Sequence, residues 1–252
     1  EETVREASSY SANEAVALNV VDFIADDLDD LLAQLNGLRL EKLGDPEIAT
    51  RIASYEMAAR LQLSAPELTD LSSENQETLD LYGCDPARAS FARASLLARR
   101  MVQRGVRYIN IFHSGWDAHS DVAGNVKKNA GKTDRGSAAL VKDLKRLGML
   151  DDTLFIISGE FGRTPKINKD AGRDHWSRCF TVAMGGGGVQ GGRVVGKSDK
   201  WAMDPDETPY GPEDLCATVY HLLGIDPRGE MHKPDGRPTM LTNNGRIIKE
   251  LL

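Results

Sequence analysis

Three short runs of the sequence hold side chains able to bind a metal ion or an oxyanion. They are His113-Ser114-Gly115-Trp116-Asp117-Ala118-His119-Ser120-Asp121, Glu160-Phe161-Gly162-Arg163-Thr164-Pro165 and Gly172-Arg173-Asp174-His175-Trp176. Between them they contain three of the five histidines of the chain. Carboxylate plus imidazole is a mixed hard and borderline ligand set that suits Zn²⁺ or Mn²⁺, with Ca²⁺ as an alternative. Asp117 and His119 lie two residues apart and can face one ion if their loop is extended. His175 would add a third ligand and leave a coordination position open for water or substrate, as a catalytic site requires. Glu160 would serve the same ion or a neighbouring one. Arg163 and Arg173 carry planar guanidinium forks that match phosphate or sulfate, which makes them the candidate catalytic residues. Asp121 and Asp174 are candidate carboxylates for orienting the imidazoles.

Each of these residues also has a purely structural reading. An Asp-x-His loop can be turn chemistry, because Asp and Ser side chains bond to their own backbone. Glu160 and Arg163 can form a structural ion pair, and His113 can be satisfied by nearby carbonyls. His221, beside Leu222 and Leu223, reads as a core or surface residue, and His232, in a Pro/Gly-rich tail, as an exposed one. Gly185 to Gly188 has no Lys-Ser/Thr pair after it, so it reads as a tight turn rather than a phosphate loop. It is the gathering of the three runs that favours a metal or oxyanion site.

The elements that must position these runs follow from composition and periodicity. The chain has 252 residues, 40% hydrophobic and 27% charged, so a globular fold with a sizeable core is expected rather than disorder or a fibrous repeat. Lys+Arg number 31 against Asp+Glu 38, a net charge of −7 that argues against a dedicated nucleic-acid binder. No apolar run approaches the roughly 20 residues needed to cross a bilayer. Cys84, Cys179 and Cys216 are far apart and form neither a CxxC metal pattern nor a disulfide framework.

The first hundred residues read as helices. Val21, Ile24, Leu28, Leu31, Leu32, Leu35 and Leu38 recur at three- and four-residue steps, which predicts an amphipathic helix over residues 12–43. Gly44-Asp45-Pro46 ends it and starts a second helix that stops near Ser64-Ala65-Pro66. A polar loop with one short helix follows. Asp85-Pro86 opens a third helix, closed by Gly105. From Val106 the pattern alternates: strands over 106–112, 153–159 and 179–185, helices over 134–147 and 214–223. Thr153 to Gly159 is almost unbroken apolar, the pattern of a strand buried on both faces of a parallel sheet. The expected fold class is therefore α/β, a mostly parallel sheet with flanking helices. Residues 1–105 would form a helical N-terminal layer packed on it, and residues 106–252 an α/β core whose strand ends carry the three site runs.

LVKDLKRLGMLDDTLFIISGEFGRTP, residues 141–165 extended back by one, is similar to the helix–turn–strand–loop of the alkaline phosphatase and sulfatase superfamily. More narrowly, GWDAH (115–119), GEFGRTP (159–165), GRDHW (172–176), the glycine run and GRP (236–238) resemble the sulfatase-like bacterial family called domain of unknown function 1501. The resemblance runs from about residue 22 to the C-terminus. It implies an alkaline-phosphatase-like fold and a hydrolase of phosphate or sulfate esters, acting on a small molecule or a polysaccharide. It also implies that Asp117, His119 and His175 match superfamily metal ligands, with shorter spacing for the first pair. Glu160 and Phe161 stand where the superfamily has Asp-His, so one ligand of a two-metal site is missing. No early strand carries a nucleophile, and with EETVREASSY at the start the chain reads as the C-terminal portion of a larger protein. The resemblance further implies export to the periplasm or beyond. The alternative is an inactive domain of the same family used for binding or assembly.

Overall fold

The computed structural model describes residues 46–206, 209–233 and 235–252, together with 13, 17, 24–25, 30–31, 33–35 and 37–38. Two compact units divide the chain, Glu1–Asp70 and Leu71–Leu252. In the first, residues 13, 17, 30–31, 33–35 and 37–38 are helical; the rest of the helix expected over 12–43 lies outside the described residues. Helix α1 (Pro46–Thr69) runs past the Ser64-Ala65-Pro66 stop that its sequence predicts. Pro66 sits in the last turn, where it removes one ladder bond, and the Thr69 hydroxyl donates back to Ala65 O at 2.8 Å.

The second unit is built on three helices: α2 (Gln76–Tyr82), α3 (Phe91–Gln103) and α4 (Val122–Arg146). Each begins at a side-chain cap. Asn75 Oδ1 accepts from Thr78 N, Ser90 Oγ from Arg93 N, and Asp121 Oδ1 from Gly124 N. Helix α4 thus begins well before the expected Asp134, because the polar residues after Asp121 that read as loop are its exposed first turns. Leu96, Ala139, Leu140, Leu144, Tyr82 and Leu71 form the centre of the core, with Ile109, Ile111 and Phe155 packed against it. Gly136 allows a close approach of α3 to α4: a Cβ there would meet Ser95 Oγ at 3.0 Å and Phe91 Cδ1 at 3.1 Å.

Charge is buried at the heart of these helices. Asp143 is fully enclosed and accepts from Arg146 Nη2 at 2.6 Å and from the Tyr82 hydroxyl at 3.2 Å, with Arg99 Nε 3.2 Å away. Arg99 and Arg100 also clamp the two oxygens of Glu74, at 2.5 and 2.8 Å. Burial, followed by the field of Asp143, pushes the Tyr82 phenol far above its ordinary range. These groups pin α2, α3 and α4 to one another and to the segment before α2.

The expected parallel sheet does not form. The described strands make three separate antiparallel pairs: β1 (Phe155–Ile157) with β4 (Ala183–Gly185), β2 (Gly162–Arg163) with β3 (His175–Trp176), and β5 (Glu230–His232) with β6 (Pro238–Met240). This overturns both the α/β class with a mostly parallel sheet and the alkaline-phosphatase-like fold. The physical reason lies in burial. Ile156 and Ile157 are 39% and 50% exposed, so the apolar run at 153–159 is not covered on both faces. Residues 106–112 form neither helix nor strand; Ile109 and Ile111 pack against the core, and Tyr108 and Phe112 are 80% and 88% exposed. β-Forming residue types report a fit to partner strands rather than a backbone preference, and here the partners are not supplied. Between β1 and β4 the chain makes the β2–β3 pair in place of a crossover helix, and the return is antiparallel. The glycine run is a turn directly after β4, held by Gly187 N to Leu150 O at 3.0 Å.

Helix α5 (Pro212–Leu222) is latched to the C-terminal tail through Asp214. Its carboxylate accepts from Arg246 N at 2.6 Å, Arg246 Nη2 at 3.0 Å and Gly211 N at 3.0 Å, and its pKa is held down to about 2, with the Arg246 side chain the largest cause. No described helix is long and apolar enough to cross a membrane.

Two stability measurements test this account. Asp143→Ala leaves the Tyr82 hydroxyl and Arg99 Nε facing no acceptor in the core, while Arg99 keeps Glu74, and should cost ~1–3 kcal/mol in denaturant unfolding. Because Asp214 is depressed in the folded chain, its contribution is complete above the ordinary carboxylate range near about 4 and is lost as the pH falls toward about 2. Asp214→Asn should therefore lower stability at pH 7 and flatten the fall in unfolding free energy across that window.

Candidate metal centre

The site rests on α4. Gly115 O accepts from Asn125 Nδ2 at 2.9 Å and from the buried Asn129 at 2.7 Å, so the loop 113–121 lies along the first turns of that helix. A second loop, 164–174, is stitched to the first by backbone bonds: Asp121 N to Asp170 O, Val122 N to Ala171 O and Arg173 N to Ala118 O, at 2.9–3.1 Å. Gly172 makes this possible. A Cβ at that position would overlap the carbonyl carbon and oxygen of His119. The β2–β3 pair then sets Arg163 directly across from His175.

These three pieces converge on one oxygen. Asp117 Oδ1 lies 3.0 Å from His119 Nε2 and 3.0 Å from His175 Nε2, and Arg163 Nη1 donates to the same atom. The ligand atoms of Asp117, His119 and His175 all fall within 4.8 Å of one another, and the three side chains are about half exposed. The imidazoles are tilted against each other with centroids 4.9 Å apart. Hydrogen bonds from His175 and then Arg163 hold the Asp117 carboxyl below its ordinary pKa. His119 Nδ1 is 3.1 Å from Asp174 Oδ1, and bonds from His119 and then Asn168 likewise lower Asp174.

The other expected site residues are placed differently. Glu160 bonds Arg163 Nη2 at 3.0 Å and does not join the ligand set. Arg173 uses Nη1 to hold Thr164 O and Pro165 O, at 2.5 and 2.7 Å. Asp121 caps α4 and does not orient an imidazole, whereas Asp174 does. His113 bonds Asn129 Oδ1 at 3.1 Å between the edges of Phe91 and Trp116. His221 lines a groove of about 550 Å³ with Asp226, Arg228 and Ile247, and His232 lies exposed in β5. Two contributors were not read from sequence as parts of the site. Phe161 sits 4.7 Å from the His175 ring and under the Arg163 guanidinium, while Asn168 bonds both His119 O and Asp174 Oδ1. The Asn-x-Asp-x-Gly spacing of 168–172 is an Asx-turn signal that points to Asn168.

One carboxylate oxygen and two imidazole nitrogens gathered within 4.8 Å make a donor set of the kind that suits zinc or manganese. Residues 17–252 match the DUF1501 family, described as protein of unknown function. The chain belongs to that family. The DUF1501 match takes in every residue of the centre and spans both compact units. No curated protein and no solved structure matches the chain.

Gly172→Ala should push the His119 backbone away from the 164–174 loop. The expected result is a Tm lowered by several degrees together with loss of the His119–Asp174 contact in histidine NMR spectra.

Proposed function

We propose that this DUF1501 chain carries a one-ion divalent metal centre, loaded with zinc or manganese, that hydrolyses phosphate or sulfate esters. The observation that carries this reading is the convergence of Asp117, His119 and His175 on a shared volume with Arg163 at the same carboxylate oxygen. When bound, the ion supplies Lewis-acid polarisation of the ester oxygen. Arg163 brings a planar cation to where negative charge develops on the phosphoryl or sulfuryl oxygens. Glu160 holds that guanidinium from its far side, and Phe161 covers one side of His175 and of Arg163. Arg173 fixes the loop that ends in β3 and so positions His175. The half-exposed ligands leave the centre open to water and to a bulky ester such as a polysaccharide. Motif similarity to the alkaline phosphatase and sulfatase superfamily supports the choice of ester; the small antiparallel sheets mean that this support comes from the motifs and not from the fold.

A catalytically silent cluster is the second reading, favoured by the way Asp117 is already satisfied by Arg163 and His175. The two separate in one experiment: elemental analysis and calorimetric zinc and manganese titration of protein purified without chelator, with aryl phosphate and aryl sulfate assays before and after EDTA. The metal centre predicts close to one equivalent bound, at least tenfold weaker binding in Asp117→Ala and in His175→Ala, and turnover that EDTA abolishes. Arg163→Ala should keep the metal and lower kcat by about 10²–10³. Absence of stoichiometric metal from the wild-type chain would leave only the silent cluster.

A further inference from the structure

Helix α4 carries charge of the opposite sign to the chain as a whole. Its 25 residues include seven Lys and Arg against two Asp, while the full chain has a net charge of −7. At about 100° per residue, all seven basic side chains fall within an arc of about 140°, and that arc holds no acidic residue. The buried Asn129, Gly136, Leu140 and Leu144 lie outside the arc.

Two of the seven cations are occupied. Arg135 donates to the carbonyls of Asp80 and Leu81, and Arg146 pairs with Asp143. The other five, Lys127, Lys128, Lys132, Lys142 and Lys145, are exposed and have no hydrogen bond or ion pair among the described residues. A solvated helix face gains stability from opposite charges four residues apart and loses it from like ones. Here Lys128 stands four residues from Lys132, and Lys142 four from Arg146. Gly131 lies on the same arc, lowers helix propensity further, and has nothing within 4 Å of the place where a Cβ would sit, so no packing requires it. With the exposed Ala138 it leaves a low floor between the lysines at either end. Helix stability alone does not account for such a face; an anionic partner laid along it does.

The stripe starts about 9 Å of helix beyond Asp121, which ends the loop bearing Asp117 and His119, and runs about 27 Å from Lys127 to Lys145. We propose that this face of α4 is a docking track for a sulfated polysaccharide, held along the helix while one of its ester groups reaches the Asp117/His119/His175 centre. The assignment of the polymer as substrate rests on the ester-hydrolase reading; the track as a polyanion surface does not. Three features select the polymer. It must be linear and repeat its charge, because the lysines are strung along one helix. The free cations are all lysines, point charges suited to singly charged sulfate groups, whereas both arginine forks, the better match to phosphate, are already engaged. Surfaces that bind single-stranded nucleic acid set aromatic platforms among their cations, and α4 contains no aromatic residue.

The test uses the full chain and labelled dextran sulfate, followed by fluorescence anisotropy over a series of salt concentrations, with uncharged dextran, poly(U) RNA and a DNA duplex alongside. One variant combines Lys128→Gln, Lys132→Gln and Lys142→Gln. Glutamine keeps the helix propensity of lysine, and circular dichroism checks that the fold survives. A control combines Lys200→Gln, Lys233→Gln and Lys249→Gln, three exposed lysines elsewhere. The expected result is binding of dextran sulfate at physiological salt and none of uncharged dextran. The α4 variant should bind at least about tenfold more weakly, with the slope of log Kd against log salt reduced by about 2 as three contacts cease to release counterions. The control should bind as the wild type does, and Lys→Arg at the three α4 positions should restore affinity to within a few-fold. Absence of dextran sulfate binding, an equal loss in the two glutamine variants, or tighter binding of RNA or DNA overturns the proposal. Dextran sulfate bound through α4 by a chain that turns over no ester leaves the track standing and removes the hydrolase reading. Ester turnover without dextran sulfate binding does the reverse.

Discussion

The enclosed carboxylate of Asp143 is the constraint on which the second unit depends. It has no exposure and cannot be left uncompensated, so Arg99, Arg146 and the Tyr82 hydroxyl must surround it. Arg99 then draws in Glu74, which also holds Arg100. A hydrophobic core alone would tolerate sliding of α3 along α4. A buried charge with directional partners does not, and the helices acquire one register. Because α4 also carries Asn125 and Asn129, which grip Gly115, that register reaches the loop bearing Asp117 and His119.

The candidate ligand residues are far more legible in the sequence than the fold that holds them. Asp117, His119 and His175 could be picked out because ligand chemistry is written in residue types, and three short runs each contributed it. Their meeting depends on two contacts: His175 lies across a two-residue pair from Arg163, and Gly172 brings its loop onto the distant His119. The parallel sheet expected from the sequence does not form, because strand pairing is decided by distant chain. Val106–Phe112 and Thr153–Gly159 have the right residues for buried strands, but nothing within those runs states what will cover them. Glu160 and Arg173 show a finer limit. Their types allow ligand or oxyanion roles, while their neighbours, Arg163 in one case and two carbonyls in the other, engage them first.

Membership of DUF1501 and the geometry of the centre bear on different questions. The family match establishes kinship along nearly the whole chain. One carboxylate oxygen, two imidazoles and a guanidinium offer the same chemistry on any scaffold. The two loops are joined largely through backbone hydrogen bonds, with Gly172 and Asn168 making close approaches.

Helix α4 has a mechanical consequence of its own. Asp121, at its start, and Asp143, in its last turns, are separated by about 33 Å of helix at 1.5 Å per residue. The helix is a rod anchored in the core at one end and bearing the ligand loop at the other. Adding or deleting one residue between Asn129 and Asp143 would turn the loop by about 100° and shift it by about 1.5 Å relative to the anchored end. The bonds from Asp121 and Val122 to residues 170 and 171 could not follow such a turn. Length in this helix is therefore as tightly constrained as the identity of the side chains at its two ends.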